Sequence, residues 1–422
     1  MIQNGMHPSV VVNGYRLAYR EAIQHVKKHL TKDVKTIDDK LLKNIILTSI
    51  SSKLLNEESD LFCDIIIKAM RSLSFSEVDN KIIYNIEDIN ILKHPGGEIK
   101  DSLFVDGYGI NCYLASSNMK KRINNPKILC LDMSLQKYKL PLSAAIVIND
   151  PNKLEEIRFK EIEIAKKIIE AIKKTGATLL LTTKGIDDLC TSLLSEAGIC
   201  AIKRCKKTDL ETIAKYSGTR IYNEINSDDK IILGNGNLFE MKQVGNDECA
   251  FIFGLKKNLG TIMLRGPNTQ ILEEMHRSLN DALNIVKRTL ESKCVVPGGG
   301  AVEIALSTIL ESFSMSINSR EHIAIFFYSE ALLTIPKTLC LNAGLDSNNL
   351  ISKIIVLQKT KSSEFYRYGI DVVKNEIGDN IEKGIIEPMM NKMKAIRTAT
   401  EAAISILRIN EIIEFPDDVK QN

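Results

Sequence analysis

Hydrophobic residues recur at helical spacing near both ends of the chain. In the segment before residue 292, the apolar side chains fall within about 80° of one another on a helical wheel: they are Leu272, Met275, Leu279, Leu283, Val286 and Leu290. Similar patterns predict further helices over these ranges: 8–31, 38–55, 57–74, 153–174, 301–317, 319–343, 347–361 and a final long helix whose first turn contains Pro388. The two ends of the chain are therefore predicted to be mostly helical.

The middle of the chain has a different pattern. Residues 178–222 alternate between short apolar runs and helical segments, an order that predicts parallel strands joined by helical crossovers. Short apolar runs broken by Gly, Pro and Asn flank this part and predict further strands, Ala144–Ile148 among them, with a turn at 94–97. Two more strands are predicted towards the end of the chain, at 369–373 and 384–386. The pattern indicates a multi-domain α/β (α+β) protein, in which a helical domain is split by an inserted α/β domain with hinge segments on both sides.

The length and composition of the chain limit the classes of protein to which it can belong. The chain has 422 residues, with 56 Lys and Arg against 53 Asp and Glu. The length predicts about three domains, and the balanced charge predicts no nucleic-acid partner. No continuous apolar run approaches the ~18 residues of a membrane span, and the first residues lack a signal-peptide pattern. We therefore expect a cytoplasmic protein without a membrane partner.

The cysteines and histidines do not indicate a metal or disulfide framework. Nine cysteines are scattered without a C-x-x-C pair, which favours reduced and mostly buried thiols. His25 and His29 are four residues apart, but they lack a Glu or Cys partner beside them, and a solvated helix face explains them. We predict no metal ligands in the chain.

A glycine-rich turn is the strongest local signal of a site. Val295 and Val296 end a β-branched run, three glycines follow at 298–300, and an amphipathic helix begins at once. Such a turn offers the unpaired N–H groups of a helix N-terminus to an anion such as a nucleotide phosphate. Strand–glycine–helix turns also serve close packing. The residues alone leave both explanations open.

Asp281 is the second candidate. It lies opposite the apolar stripe of its helix, with Arg277 one turn before it and Arg288 two turns after it. A solvated ion pair on the helix surface is one interpretation. A carboxylate free to point into a neighbouring cleft, as a general base requires, is the other.

Several long motifs resemble the group II chaperonins, and within them the alpha subunits of the eukaryotic cytosolic chaperonin (CCT, also TRiC). The resemblance rests on VVPGGGAVEIAL, SLNDALNIVKRTLES, YGIDV, GIIEP and ATEAAISILRINEII, and it extends along essentially the whole chain. It implies an ATP-dependent molecular chaperone subunit that helps cytosolic proteins fold, with actin and tubulin as expected clients, inside a hetero-oligomeric double ring. The implied partners are other chaperonin subunits and unfolded proteins.

The resemblance also implies three domains. An equatorial ATP-binding domain would comprise residues 1–47 and 291–422, and a small hinge-like intermediate domain residues 48–100 and 257–290. An apical α/β domain for client binding would occupy residues 101–256, with a helical lid protrusion at about 133–164. This division matches the split organisation that the hydrophobic pattern predicts.

The family's site residues carry over where its motifs stand. Gly298, Gly299 and Gly300 resemble the loop that lines the nucleotide pocket. Asp371 in YGID resembles a position near the adenine, and Glu387 in GIIEP resembles the acid that holds the ribose hydroxyls. Asp281 resembles the intermediate-domain carboxylate that positions the attacking water, and this role favours the general-base interpretation over the surface ion pair.

One part of the family pattern is missing from this sequence. The family's phosphate-binding elements are an N-terminal glycine-rich loop and a G-D-G-T-T motif whose Asp helps to hold Mg²⁺, and neither occurs here. The expected cofactors are therefore ATP and Mg²⁺, with no Mg²⁺ ligand motif in this chain. A non-hydrolysing structural or binding subunit is the alternative function. An unrelated α/β enzyme would need a catalytic cluster within 101–256, and the sequence indicates none.

Overall fold

The computed structural model describes residues 2, 5–34, 38–73, 75–78, 81–136, 151–225, 231–245, 247–256, 259–360, 365–409, 411 and 413. The chain divides into two compact units. Unit 1 comprises residues 1–59 and 281–422, and unit 2 comprises residues 60–280. Unit 1 is thus discontinuous in sequence, as the helical pattern at both ends predicts. The finer division into equatorial, intermediate and apical domains stays a prediction.

The α-helices of the described residues follow the predicted ranges closely. They are α1 (Pro8–His25), α2 (Asp39–Ile50), α3 (Ser59–Ser72), α4 (Pro151–Thr175), α5 (Asp188–Glu196), α6 (Lys207–Ser217), α7 (Thr269–Ser292), α8 (Ala301–Ser316), α9 (Glu321–Asn342), α10 (Ser347–Thr360) and α11 (Met389–Leu407). A π-helical turn, Val26–Leu30, extends α1.

The strands are short, as expected where Gly, Pro and Asn interrupt the apolar runs. They are β1 (Lys32–Asp33), β2 (Phe75–Val78), β3 (Lys81–Tyr84), β4 (Ile89–Pro95), β5 (Leu103–Val105), β6 (Tyr108–Asn111), β7 (Tyr113–Leu114), β8 (Arg122–Asn124), β9 (Lys127–Leu131), β10 (Leu179–Thr182), β11 (Cys200–Lys203), β12 (Ile221–Tyr222), β13 (Gly234–Asn235), β14 (Leu238–Val244), β15 (Asp247–Phe253), β16 (Gly260–Gly266), β17 (Cys294–Pro297), β18 (Tyr368–Asp371), β19 (Glu376–Asp379) and β20 (Ile386–Pro388).

Unit 1 is built on a helical core with a small sheet beside it. Apolar side chains of α1, α8, α9 and α11 share one buried cluster. α1 contributes Ala18 and Ala22, whose small size lets the neighbouring helices approach closely. The sheet has the order β1-β17-β20, and both of its pairings are antiparallel. Because β17 lies in the middle, the glycine turn that follows it starts from a fixed position.

Unit 2 contains the predicted parallel α/β unit. β10 pairs in parallel with both β9 and β11, and β12 pairs in parallel with β9. All four residues of β10 are buried, the continuous apolar burial expected of a parallel strand covered on both faces. A second sheet has the order β6-β15-β14-β8, and a third the order β4-β16-β5. The α/β class predicted from sequence is therefore confirmed.

Several predicted boundaries are wrong. The turn predicted at 94–97 begins later, because β4 continues through His94 and Pro95 while paired with β16. The strand predicted at 384–386 occupies Ile386–Pro388, so Pro388 ends a strand and caps α11 instead of lying in its first turn. The strand predicted at Ala144–Ile148 lies outside the described residues, as does much of the predicted lid protrusion, residues 137–150.

One helix bears on the membrane prediction. Among the described residues, α9 is long and apolar enough to cross a membrane by length and composition alone. The prediction from sequence concerned a continuous apolar run, which Glu330 and Lys337 interrupt in α9. α9 also packs against α1 and α8, and its residues Ala324 and Ile325 are fully buried among those helices. Core helices of globular proteins have the same composition.

The cysteine prediction is confirmed. All nine cysteines are free thiols, and eight of them are buried. Cys294, the exception, is partly exposed on β17.

Candidate functional site

The glycine turn, residues 298–300, connects β17, the central strand of the unit 1 sheet, to the buried first turns of α8. The Gly298 amide donates to the Ile385 carbonyl over 2.9 Å, and the Gly299 carbonyl accepts from the Ile370 amide over 3.0 Å. The Asn380 side-chain amide donates to the Gly298 carbonyl over 2.8 Å. The turn is therefore held by backbone and side-chain hydrogen bonds to the segments around β18 and β20.

Glycine is required at two positions of this turn by conformation and by space. Gly299 and Gly300 have φ angles of +65° and +74°, in the left-handed region that side chains disfavour. A methyl group at Gly300 would lie 2.7 Å from Cβ of Pro336, and one at Gly299 would collide with the Ile370 carbonyl oxygen. Close packing, the explanation that the sequence left open, accounts for these two glycines.

Gly298 differs, because its neighbour is a functional group. A methyl group there would lie 3.0 Å from Oε1 of Glu387. Glu387 is brought to this position by the pairing of β20 with β17, in which it stands opposite Val296. Within the described part of the chain, Oε1 of Glu387 has no hydrogen-bond partner. A free carboxylate oxygen therefore lies beside the first glycine of the turn.

The other oxygen of Glu387 belongs to a buried ionic network. Lys392 Nζ lies 3.1 Å from Oε2 of Glu387 and 2.7 Å from Oε1 of Glu303. The side chain of Glu303 is only 3% exposed, that of Lys392 is 14% exposed, and that of Glu387 is 30% exposed. One cation thus lies between two carboxylates, and only Glu387 keeps an appreciable exposed surface.

The electrostatics of this network follow from burial and pairing. Burial raises the pKa of Glu387, the nearby Glu303 adds to the rise, and Lys392 opposes it. Burial works to lower the pKa of Lys392, but the two carboxylates outweigh it, so its pKa lies above the usual value. Lys392 is therefore a cation at neutral pH.

Asp371 is engaged with its own hairpin. It ends β18, and its Oδ1 accepts from the amides of Val373 and Lys374 over 3.1 Å each. Its Oδ2 accepts from Lys383 Nζ over 2.7 Å. Burial opposes ionisation, yet the bond from Lys383 and the two amides hold the pKa of Asp371 below its usual value. Asp371 therefore stabilises the turn between β18 and β19, and its predicted place near an adenine stays a prediction.

Asp281 has a partner that the sequence did not suggest. Lys53 Nζ donates to Oδ2 of Asp281 over 2.6 Å, and the Asp281 side chain remains 52% exposed. The two arginines proposed as its surface partners contact other acids, Arg277 with Glu274 and Arg288 with Glu291. The carboxylate is thus accessible and paired with a lysine from the segment after α2.

A family model covers almost the entire sequence. The TCP-1/cpn60 chaperonin family matches residues 1–416. The chain belongs to the TCP-1/cpn60 chaperonin family. Members of this family are ATPases that assist protein folding in ring assemblies of subunits, and this chain is a chaperonin subunit.

Individual relatives narrow the assignment. The chain is 52% identical to T-complex protein 1 subunit alpha of Encephalitozoon cuniculi, over 100% of this chain and 79% of the relative. It is 41% identical to the subunit alpha of Dictyostelium discoideum, over 98% of this chain and 77% of the relative.

A solved structure supports the same grouping. The open state monomer of a group II chaperonin from Methanococcoides burtonii matches with a TM-score of 0.69 and 29% identity, over 97% of this chain and 94% of that one. The predicted relation to group II chaperonins and their alpha subunits is confirmed.

The structure brings some of the predicted site residues together. Gly298 lies beside Glu387, and Gly299 is bonded to the strand that ends in Asp371. Among the described residues, the hydrogen bonds and ion pairs of Asp281 do not join it to this group. The roles of all six residues toward a nucleotide stay predictions.

Sequence reasoning missed the residues that hold the site in place. Glu303 and Lys392 belong to the buried ionic network. Asn380 holds the glycine turn, and Lys383 holds Asp371. Lys53 pairs with Asp281. A charge within the apolar run VEIAL is a signal that could have found Glu303, since a buried acid needs a cation. The sequence contains no comparable signal for the others.

Proposed function

We propose that this chain is an ATP-dependent chaperonin subunit, which binds nucleotide between the 298–300 turn and Glu387. The chain would act in the cytoplasm within a hetero-oligomeric double ring, together with other chaperonin subunits. Its clients would be unfolded cytosolic proteins, with actin and tubulin expected. Membership of the chaperonin family supports the folding role, and the local geometry supports the nucleotide site.

A single observation carries the nucleotide proposal. Oε1 of Glu387 lies beside Gly298 and has no hydrogen-bond partner among the described residues, while Oε2 is bound by Lys392. A free carboxylate oxygen is the acceptor that vicinal ribose hydroxyls require. The absence of a side chain at Gly298 leaves room for a ligand at that oxygen. These residues fit the sugar side of a nucleotide.

The described part of the chain contains no ready-made cluster of protein ligands for Mg²⁺. Within the described residues, no group of three His, Cys, Asp or Glu side chains is placed to hold a metal ion. Asp281 would position the attacking water by accepting a hydrogen bond from it, which is the role of a general base. Lys53 would hold the Asp281 carboxylate in place until that contact is made.

Two substitutions test the proposal in the assembled ring. Glu387→Gln should weaken ATP binding by about 10- to 100-fold, the value of a hydrogen bond to a charged group. Asp281→Ala should leave ATP binding almost unchanged and slow turnover by about 100-fold or more. Equilibrium binding and phosphate release are the measurements. Unchanged affinity of Glu387→Gln would contradict the ribose role, and unchanged turnover of Asp281→Ala would contradict the base role.

A non-hydrolysing structural or binding subunit is the second candidate. The observation that favours it is the pairing of Asp281 with Lys53, which leaves the proposed base bound to a cation. The two candidates differ in one measurement. The test uses rings in which the residue equivalent to Asp281 is mutated in every other subunit. Such rings should release phosphate if this chain hydrolyses ATP, and should bind ATP without turnover if it does not.

A further inference from the structure

A neighbouring residue determines which carboxylate oxygen of Glu387 faces the glycine turn. Glu387 has two chemically equivalent oxygens, and the structure distinguishes them. Oε2 lies 3.1 Å from Lys392 Nζ, while Oε1 lies beside Gly298. We propose that Lys392 is a positioning residue, which fixes the orientation of Glu387 so that Oε1 accepts from the ribose hydroxyls of ATP.

The position of Lys392 is fixed by its place in the chain and by its contact with a second acid. It lies in the first turn of α11, immediately after the strand that holds Glu387. Its shorter contact, 2.7 Å, is with Glu303 in the first turn of α8. Since Glu303 is nearly fully buried, its charge requires a cation close by. The bond to Glu303 anchors Lys392, and Lys392 in turn anchors Glu387.

The same geometry links the sugar contact to the glycine turn. α8 begins at the turn, so Glu303 moves with it, and Glu387 belongs to the strand paired with β17. The ammonium of Lys392 therefore joins the elements on both sides of the candidate nucleotide position. An orientation of Glu387 that is set in this way costs no ordering entropy when a ligand binds.

This inference rests on the proposed function and adds a residue to it. Removing Lys392 alone would leave Glu303 buried without a cation, and such variants are strongly destabilised and can fail to fold. The test therefore uses the double variant Lys392→Met with Glu303→Gln, which removes the ionic requirement together with the lysine. Glu303→Gln alone is the matched variant, because it keeps the contact between Lys392 and Glu387. Lys394→Met, on the exposed side of the same helix, controls for the loss of a lysine.

The measurement is the ratio of affinities for ATP and 2′,3′-dideoxy-ATP, with the full chain in its assembled ring. A contact between Glu387 and the ribose should give a wild-type preference for ATP of about 10-fold or more. Lys394→Met should keep this preference, and Glu303→Gln should keep most of it, because the amide oxygen of the glutamine still accepts a hydrogen bond from Lys392. In the double variant, the ratio should fall to within about threefold of unity, while affinity for dideoxy-ATP and thermal stability stay close to wild type.

The outcomes separate the two proposals. Glu387→Gln is measured in the same series. If Glu387→Gln loses the preference and the double variant keeps it, the ribose contact stands and the role of Lys392 is wrong. If wild type shows no preference, or does not bind ATP, both proposals fail. A double variant that does not fold while Glu303→Gln does would show that Lys392 is needed for the fold itself, and would overturn a role limited to positioning.

Discussion

Each unit of the molecule contains a chain of three ionisable side chains, and the two chains differ in access. In unit 2, Asp247 Oδ2 lies 3.2 Å from His94 Nδ1, and His94 Nε2 lies 3.0 Å from Cys249 Sγ. In unit 1, Lys392 joins Glu303 and Glu387. The unit 2 group has the order of acid, imidazole and thiol found in nucleophilic enzymes, whereas the unit 1 group matches no catalytic motif.

Burial shows that the unit 2 group is not a nucleophilic site. Cys249 and His94 are both 0% exposed, so no substrate can reach the thiol. Burial raises the pKa of Cys249 to about 11, the nearby Asp247 adds to the rise, and Arg265 opposes it. The thiol is therefore protonated at neutral pH and is not a nucleophile. The unit 1 group keeps one oxygen free beside a glycine turn. Access decides which of two such groups is a candidate site.

The largest effect is expected at the glycine turn. Gly299→Ala places a methyl group against a backbone carbonyl and forces a left-handed residue, which should cost about 3 kcal/mol or more. Gly344 also has a left-handed φ, +71°, but nothing lies within 4 Å of its added methyl group. Gly344→Ala should therefore cost only about 1–2 kcal/mol. Chemical unfolding measures both, and equal losses would show that the turn is not sterically closed.

A smaller loss is expected at the closed group of unit 2. His94→Leu removes both hydrogen bonds of the imidazole and should destabilise the protein by about 1–3 kcal/mol. The affinity for ATP should not change, because the group lies outside the candidate site. Unfolding curves and nucleotide binding measure the two effects. A loss of ATP affinity without a loss of stability would contradict the separation of the two groups.

Thiol reactivity tests the claim of access directly. Burial, together with Asp33, raises the pKa of Cys294 to about 11, the same value as that of Cys249, although Cys294 is partly exposed. Alkylation of the native protein at constant pH should therefore modify Cys294 at least ~10-fold faster than Cys249. In urea the two rates should converge. Comparable rates in the native state would show that the unit 2 group opens readily.

The ion pair of Asp371 makes a prediction about pH. Its folded-state pKa lies below the unfolded value of about 3.9, so the pair stabilises the protein above that pH. The stabilisation is lost as the pH falls through the folded-state pKa. Lys383→Met should cost about 1–2 kcal/mol at pH 7, and this cost should shrink as the pH falls below the unfolded-state pKa. A difference in unfolding free energy that does not shrink in acid would contradict this assignment.

The smallest effect is expected at Lys53. Its contact with the half-exposed Asp281 is solvent-screened, so Lys53→Met should change stability by less than about 1 kcal/mol. Turnover is the informative measurement, because a lysine that holds the base should matter there and not in unfolding. A loss of stability well above this value would show a structural role for the pair.

Sequence alone predicted most of the architecture and named the glycine turn and Glu387 as candidate site residues. The helical stripe that contains Leu272 and Leu290 became α7, and the alternating middle became a parallel sheet. The motifs placed the glycine turn and Glu387 in one site, and the pairing of β17 with β20 brings them together. These features depend on local periodicity and on residues that only a few conformations tolerate.

Other features depended on contacts between residues far apart in sequence. Lys392 lies 89 residues from Glu303, and Cys249 lies 155 residues from His94. No segment of the sequence indicates the latter group, because neither residue is unusual in its own segment. The hairpin that holds Asp371 was likewise predicted only as a single strand.

The sequence by itself determined the helices, the α/β middle, the glycine turn and the chaperonin family, because periodicity, glycine content and motif order are properties of the chain. The tertiary structure decided which charges are paired, which thiols are inaccessible and which oxygen of Glu387 is free. Those properties depend on distance and desolvation, and both arise only when separate segments pack together.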